Sequence, residues 1–259
     1  QVKFQHSNKK IYQKLGYSID QEGILTRFLR EGNAWKSHLE HTKQWIRDAY
    51  AHKEYSSIAI FGSGWLLDVP IDDIIRDFKE VYLFDIIHPL QITHKYKKYP
   101  HVHFIEADVT GGVAKKIYDR ITAKSHVRKQ SLPQLTQTQF SYDIPFDLLV
   151  SLNIVNQLDI LLLEALEKHE SVSEEEKQDF RYCIQKNHMH LLEQYNYCLI
   201  SDWEKLVTHT KTRHTHSEPL VFVEPPAHTH HSEWLWNFDS QGLYEENSKI
   251  DFRVRAFRS

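Results

Sequence analysis

The stretch Ile58–Asp85, IAIFGSGWLLDVPIDDIIRDFKEVYLFD, decides the fold. Ile58-Ala59-Ile60-Phe61 is a short apolar run with β-branched residues, as a strand buried on both faces requires. Gly62-Ser63-Gly64 follows, a turn whose missing side chains let backbone N–H groups approach a ligand. The helical pattern after it has Pro70 near the first turn and Asp68, Asp72 and Asp73 at the positive end. Ile71, Ile74, Ile75 and Phe78 share one face. A second apolar run, Val81-Tyr82-Leu83-Phe84, closes on Asp85. Strand, glycine turn, helix, strand and acid make a βαβ unit that binds a nucleoside. Asp85 lies 21 residues after Gly64, near the spacing of about 20 for a ribose-gripping carboxylate.

In a dinucleotide fingerprint a third glycine allows tight helix–strand packing behind a pyrophosphate. That place is Leu67 here, and bulky Trp65, Leu66 and Leu67 crowd the helix start. The turn therefore suits a nucleoside without phosphates. Further on, His101–Glu106 reads as a third strand leading into Ala107-Asp108-Val109-Thr110, with a helix from Gly112 to Ala123. Lys124–Pro145 is polar and Gln/Ser/Thr-rich, a surface insertion. Phe146–Leu152 is a fourth strand ending at Asn153. Helices over 158–168 and 173–195 follow, then a fifth strand, Asn196–Asp202, in which Cys198 reads as a core residue. Alternation over 219–224, 233–238 and 250–257 suits antiparallel strands, with a turn near Gly242.

In these residues the chain resembles class I S-adenosylmethionine-dependent methyltransferases, over Ser57–Ser259. The resemblance implies a doubly wound α/β fold: a mostly parallel seven-stranded sheet, helices on both faces and a C-terminal antiparallel pair. It implies S-adenosylmethionine as cofactor, with Gly62, Ser63, Gly64 and Trp65 around its methionine end and Asp85, next to Ile86, on the ribose. It places Asp108 near the adenine amino group, with the backbone of Ala107 and Val109 along the ring edge. Asp108 can also be read as a cap for the helix starting near Gly112, and the two roles are compatible. Leu152 and Asn153 border the methyl group, and Asn153 is the candidate catalytic residue. No Pro-Pro-aromatic follows Asn153, which argues against a DNA base methylase. Two other readings stay open. One is a protein of this fold without turnover, acting as a binding or scaffold module. The other is a nicotinamide oxidoreductase, which Leu67 disfavours.

Residues 1–56 read as a helical extension, an added helix packed on the sheet or a lid over the cofactor mouth. Asn33 is expected to cap a helix from Ala34 to about His52, preceded by short helices. Residues 57–259 form the Rossmann-like domain. A net charge of −3 over 259 residues gives no global attraction to nucleic acid, and the basic face of His94, Lys95, Lys97 and Lys98 reads as a solvated helix end. No apolar run approaches the roughly 20 residues of a membrane span. Two cysteines, Cys183 and Cys198, fit a reducing, cytoplasmic setting. The expected acceptor is a small molecule or a peptide.

The histidine count of 18 is unusual. His209, His214, His216, His228, His230 and His231 fall in one C-terminal stretch, which reads either as an exposed polar loop or as a metal-binding one. If that loop meets the acceptor, His230 or His231 is a candidate general base.

Overall fold

The two apolar runs around the glycine turn lie side by side in the computed structural model, which describes residues 8–123 and 130–259. Ser57–Phe61 (β1) and Glu80–Asp85 (β2) pair in parallel, with Ile58 opposite Val81 and Phe61 opposite Phe84. Val102–Glu106 (β3) adds beyond β2, and Leu148–Leu152 (β4) pairs with the other edge of β1. Tyr197–His209 (β5) lies next to β4. Thr215–Pro219 (β6), His230–Asp239 (β7) and Ser248–Arg258 (β8) complete the sheet.

The order is β3-β2-β1-β4-β5-β8-β7, with β6 paired to β5 off this path. A 3-2-1-4-5 parallel series is doubly wound and reverses at β1. An antiparallel β8–β7 pair then stands where a sixth parallel strand would continue it. This is the Rossmann-like fold of class I methyltransferases. The sheet has eight strands rather than the expected seven. β6 is the addition, and it ends at Pro219, where the alternation had suggested a strand beginning.

The helices are Lys9–Lys14 (α1), Tyr17–Tyr50 (α2), Ile71–Asp77 (α3), Leu90–Tyr96 (α4), Val113–Thr122 (α5), Leu132–Leu135 (α6), Ile160–Glu167 (α7) and Glu174–Leu192 (α8). Alternation along β1 divides the core. Ile58 and Ile60 join Trp35 and Ile46 of α2 and Ile74 of α3 on one face. Ala59 and Phe61 join Met189 and Leu192 of α8 on the other. Cys198 is fully buried and its thiol is pushed up to about 12 by burial, as a packed core residue would be.

Two expectations are corrected. Asn33 caps nothing, because it lies inside the continuous 34-residue α2. Gly32 and Asn33 disfavour helix by about 1 kcal/mol or less each. Burial of Glu31, Trp35, His38, Thr42, Ile46 and Ala49, a stripe at three- and four-residue spacing, outweighs that. The insertion is not all surface either. Residues 124–129 lie outside the described ones, but Leu132 and Leu135 are buried and the Phe140 ring meets Phe61 at 5.4 Å.

The C-terminal half of α2 is part of the core. The Trp35 ring stacks on Phe238 at 5.6 Å, meets Trp236 edge-on at 4.9 Å, and donates from Nε1 to the Phe238 carbonyl at 2.9 Å. Trp35→Ala is expected to cost about 3–5 kcal/mol in a single cooperative urea transition. A loss below about 1 kcal/mol would show that α2 is only laid against the sheet.

Candidate functional site

At the carboxyl edge of the sheet, a cavity of about 490 Å³ opens between the glycine turn, the ends of β2 to β5 and the side of α2. Gly62, Ser63, Gly64, Trp65, Asp85, Ile86, Ala107, Asp108, Val109, Leu152 and Asn153 all line it. A smaller cleft by Tyr50, Tyr55 and Phe78 lies at the opposite, amino end of the strands. In sheets of this type ligands bind outside the carboxyl ends.

Gly62 is irreplaceable on steric grounds. Its φ is +81°, and a Cβ there would come within 2.3 Å of both Ile154 Cγ2 and the Leu152 carbonyl oxygen. Its N–H and that of Ser63 donate to the Phe84 carbonyl at 3.0 and 3.2 Å. The turn is thus pinned to β2. Beyond it the chain does not enter a helix directly. Trp65–Pro70 is an irregular segment, Leu66 takes φ +56°, and α3 begins at Ile71. Trp65 therefore does not crowd a helix start. Its indole Nε1 donates to the Gln21 carbonyl at 2.8 Å and fastens the turn to α2.

Asp85 ends β2 with its carboxylate gripped from both sides. Gly64 N–H donates to Oδ2 at 2.8 Å and Ile86 N–H to Oδ1 at 2.7 Å. Burial raises its pKa, while the His88 charge and these amides act against that. The Gln21 amide touches Oδ1 at a long 3.4 Å, and its own Oε1 has no partner.

Asp108 is a helix cap in this structure. Oδ1 accepts from Thr110 N–H at 3.0 Å and from the Thr110 hydroxyl, and Oδ2 accepts from Ala114 N–H at 3.0 Å. The Gly112 N–H faces the same carboxylate, so its acceptor capacity is largely taken up by the helix it begins. Tyr17 of α2 also faces the cavity. Its hydroxyl is held protonated by burial and by the Asp108 charge.

Beside Asn153, the inner end of the cavity holds two acids given no such role from the sequence, Asp68 and Asp202. Asn153 sits at φ +51°, a left-handed conformation that Asn tolerates, and donates from Nδ2 to Asp68 Oδ2 at 3.0 Å. Asp202, 3% exposed, lies where β4 has ended and β6 has not begun, beside an irregularity in the β5–β8 ladder. Its Oδ1 has no partner. Burial pushes Asp68 up to about 6 and Asp202 up to about 7, with the Asp68 charge adding to the second. The signal for Asp202 was present: it follows the buried end of the fifth strand, as Asp85 closes the second. Asp68 had been read only as an acid at a helix end.

The histidines stand elsewhere. His209 ends β5, His216 lies in β6, and His230 and His231 begin β7, so four of the six histidines stand in antiparallel sheet, while His214 and His228 lie in the connections between strands. None of these side chains lines the cavity, so His230 and His231 are not its general base. Among the described residues, no three His, Cys, Asp or Glu side chains converge as a metal site. None of the described helices is long and apolar enough to cross a membrane.

No family model matches the chain, and no curated protein matches it in sequence. Among solved structures it is similar to N-methyltransferase NodS from Bradyrhizobium japonicum WM9, at 12% identity and TM-score 0.41 over 88% of this chain and 98% of that one. It is also similar to DhpI in its SAH complex, at 9% and 0.33 over 96% of each chain. A third is 1,6-didemethyltoxoflavin-N1-methyltransferase from Burkholderia thailandensis, at 10% and 0.35 over 94% and 88%. Likeness this distant says nothing about chemistry, and the strand order itself defines the fold.

The buried carboxyl of Asp202 makes stability depend on pH. The folded state keeps its proton up to about pH 7, whereas the unfolded chain releases it near pH ~4. The proton therefore favours the fold, and stability falls as pH rises through this window. Asp202→Asn removes the effect. Its stability relative to the parent is expected to rise by about 2–3 kcal/mol from pH 5 to pH 8 in urea unfolding. A constant difference over that range would contradict a buried, protonated Asp202.

Proposed function

We propose that this chain is an S-adenosylmethionine-dependent methyltransferase acting on a small-molecule or peptide acceptor. The observation that carries the reading is the Asp85 carboxylate, fixed by two backbone amides at the mouth of the cavity and touched only loosely by a displaceable glutamine. A carboxylate so placed suits a pair of ribose hydroxyls. Gln21 Oε1, buried and unpartnered, gains a partner if a diol replaces the long contact.

The rest of the lining fits a nucleoside without phosphates. Leu67 and Trp65 leave no glycine-rich cradle for a diphosphate, and Asp85, Asp108 and Asp20 on the wall repel one. Gly62, Ser63, Gly64 and Trp65 would hold the methionine end, Asp85 and Ile86 the ribose, and Ala107, Asp108 and Val109 the adenine. When bound, the cofactor supplies a methyl group on a positively charged sulfur, an electrophile with a neutral leaving group. The protein is left with binding, alignment and exclusion of water. Leu152 and Asn153 border the reacting end. Residues 57–259 are the catalytic domain, and residues 1–56 supply, through Tyr17 and Gln21 of α2, a lid over the nucleoside. Free Cys183 and Cys198 suit a reducing cytosol.

The competing reading is a binding or scaffold protein of this fold without turnover, for which Gln21 already resting on Asp85 is the supporting contact. Calorimetry separates the two. S-adenosylhomocysteine is expected to bind, and Asp85→Ala to weaken it by about 1.5–3 kcal/mol, roughly 10- to 100-fold. Unchanged affinity in a folded variant would make Asp85 purely structural. Absence of heat with the parent chain would favour the scaffold.

A further inference from the structure

The cavity runs on past the residues assigned to the nucleoside to residues of β5, β7 and β8, and this inner end has a distinct character. Eight carboxylates line the cavity against two cations, Arg27 and Lys205. Neither lining cation is free to neutralise Asp202, and the Lys43 charge reaches only Asp68. Lys205 is held by Glu218 and Glu245, and the Arg27 guanidinium lies over the Phe238 and Tyr244 rings at 5.5 and 5.3 Å. His38 is neutral at physiological pH, since burial lowers its pKa to about 3. A buried carboxylate without a cation is costly unless it is protonated or paired.

Asp202 is such a group. It is 97% buried, lines the cavity, and leaves Oδ1 without a hydrogen-bond partner. Asp68 lies close enough for its charge to act on Asp202, and it is turned to the same cavity by Asn153. Trp35, Trp236, Phe238 and Phe252 line the same cavity. His38 stacks on Trp236 with centroids 4.1 Å apart and planes 6° apart. Trp236 Nε1 and His38 Nε2 are buried and unpartnered as well. Of the eleven buried, unpartnered side-chain polar atoms among the described residues, six belong to residues of this cavity: Gln21, Arg27, His38, Asn153, Asp202 and Trp236. That concentration marks a ligand site rather than scattered packing faults.

We propose that the inner end of the cavity is an amine subsite, in which Asp202 and Asp68 engage the nitrogen of an aryl-alkyl amine and the Trp236 and Phe252 wall holds its hydrocarbon part. An acidic, aromatic-walled pocket attracts a cation through both its charge and its ring faces. It repels carboxylates and phosphates. Once ionised, above about pH 7, Asp202 can take on Oδ1 the proton that an ammonium sheds, which leaves a neutral nitrogen with a free lone pair. The proposal rests on the methyltransferase reading only for its consequence, that nitrogen is the methylated atom.

The test uses the full chain and three probes of one shape: 2-phenylethylamine, neutral 2-phenylethanol and anionic 3-phenylpropionate. Each is titrated calorimetrically at pH 8, where Asp202 has lost its proton, with and without S-adenosylhomocysteine. The amine is expected to bind at least tenfold more tightly than the alcohol, and the carboxylate not at all. Asp202→Asn should remove that preference for the amine, leaving alcohol binding and the S-adenosylhomocysteine heat unchanged. Asp68→Asn, read in the same way, guards against a folding defect in the first variant. Equal affinity for amine and alcohol, an Asp202→Asn chain that keeps the preference, or no binding of any probe overturns the proposal. A preference for the amine without any S-adenosylhomocysteine heat would uphold the subsite and overturn the methyltransferase reading instead.

Discussion

The grip of two backbone amides on one carboxylate organises this molecule. Gly64 N–H and Ile86 N–H fix Asp85 from opposite sides, tying the turn after β1 to the end of β2. The turn can take that path because Gly62 has no side chain to meet Ile154 and Leu152. Removing solvent from Asp85 raises its pKa, and the amides resist that rise. The result is an oriented acceptor at the point where the strand order reverses.

From that point the cavity extends in two directions of different character. Towards α5 the wall is Val109 with Asp108 and Thr110, whose polar groups are largely satisfied by the helix they begin. Towards β5 and β7 it is aromatic and acidic, with polar atoms left unpaired. The long β5 produces this second half. It pairs with β4 over its first residues and with β6 only from Glu204 onward, so Asp202 falls in the gap between two partners. α2 covers both halves. Its Trp35 end is locked into the core, and its Gln21 end meets the glycine turn through Trp65.

The sequence displayed the first half clearly and the second hardly at all. Ile58–Phe61 and Val81–Phe84 are continuous apolar runs that only a two-sided sheet can bury, so the glycine turn after the first and Asp85 at the end of the second were placed by local pattern. Every residue proposed from that pattern lines the one cavity. Asp68 and Asp202 lie 134 residues apart in the chain, and only the sheet order brings them together. Gly32-Asn33 was misread because local propensity of about a kilocalorie was set against a burial stripe that needs the C-terminal strands to exist. β6 is nearly all exposed, so no apolar alternation announced it.

The account is tested most directly by a crystal structure with S-adenosylhomocysteine bound. It predicts the ribose hydroxyls on Asp85, the Gln21 amide displaced from that carboxylate, and open volume running from the sulfur to Asp202. A cleft still closed by Gln21 on Asp85, with the nucleoside bound elsewhere or not at all, would contradict it.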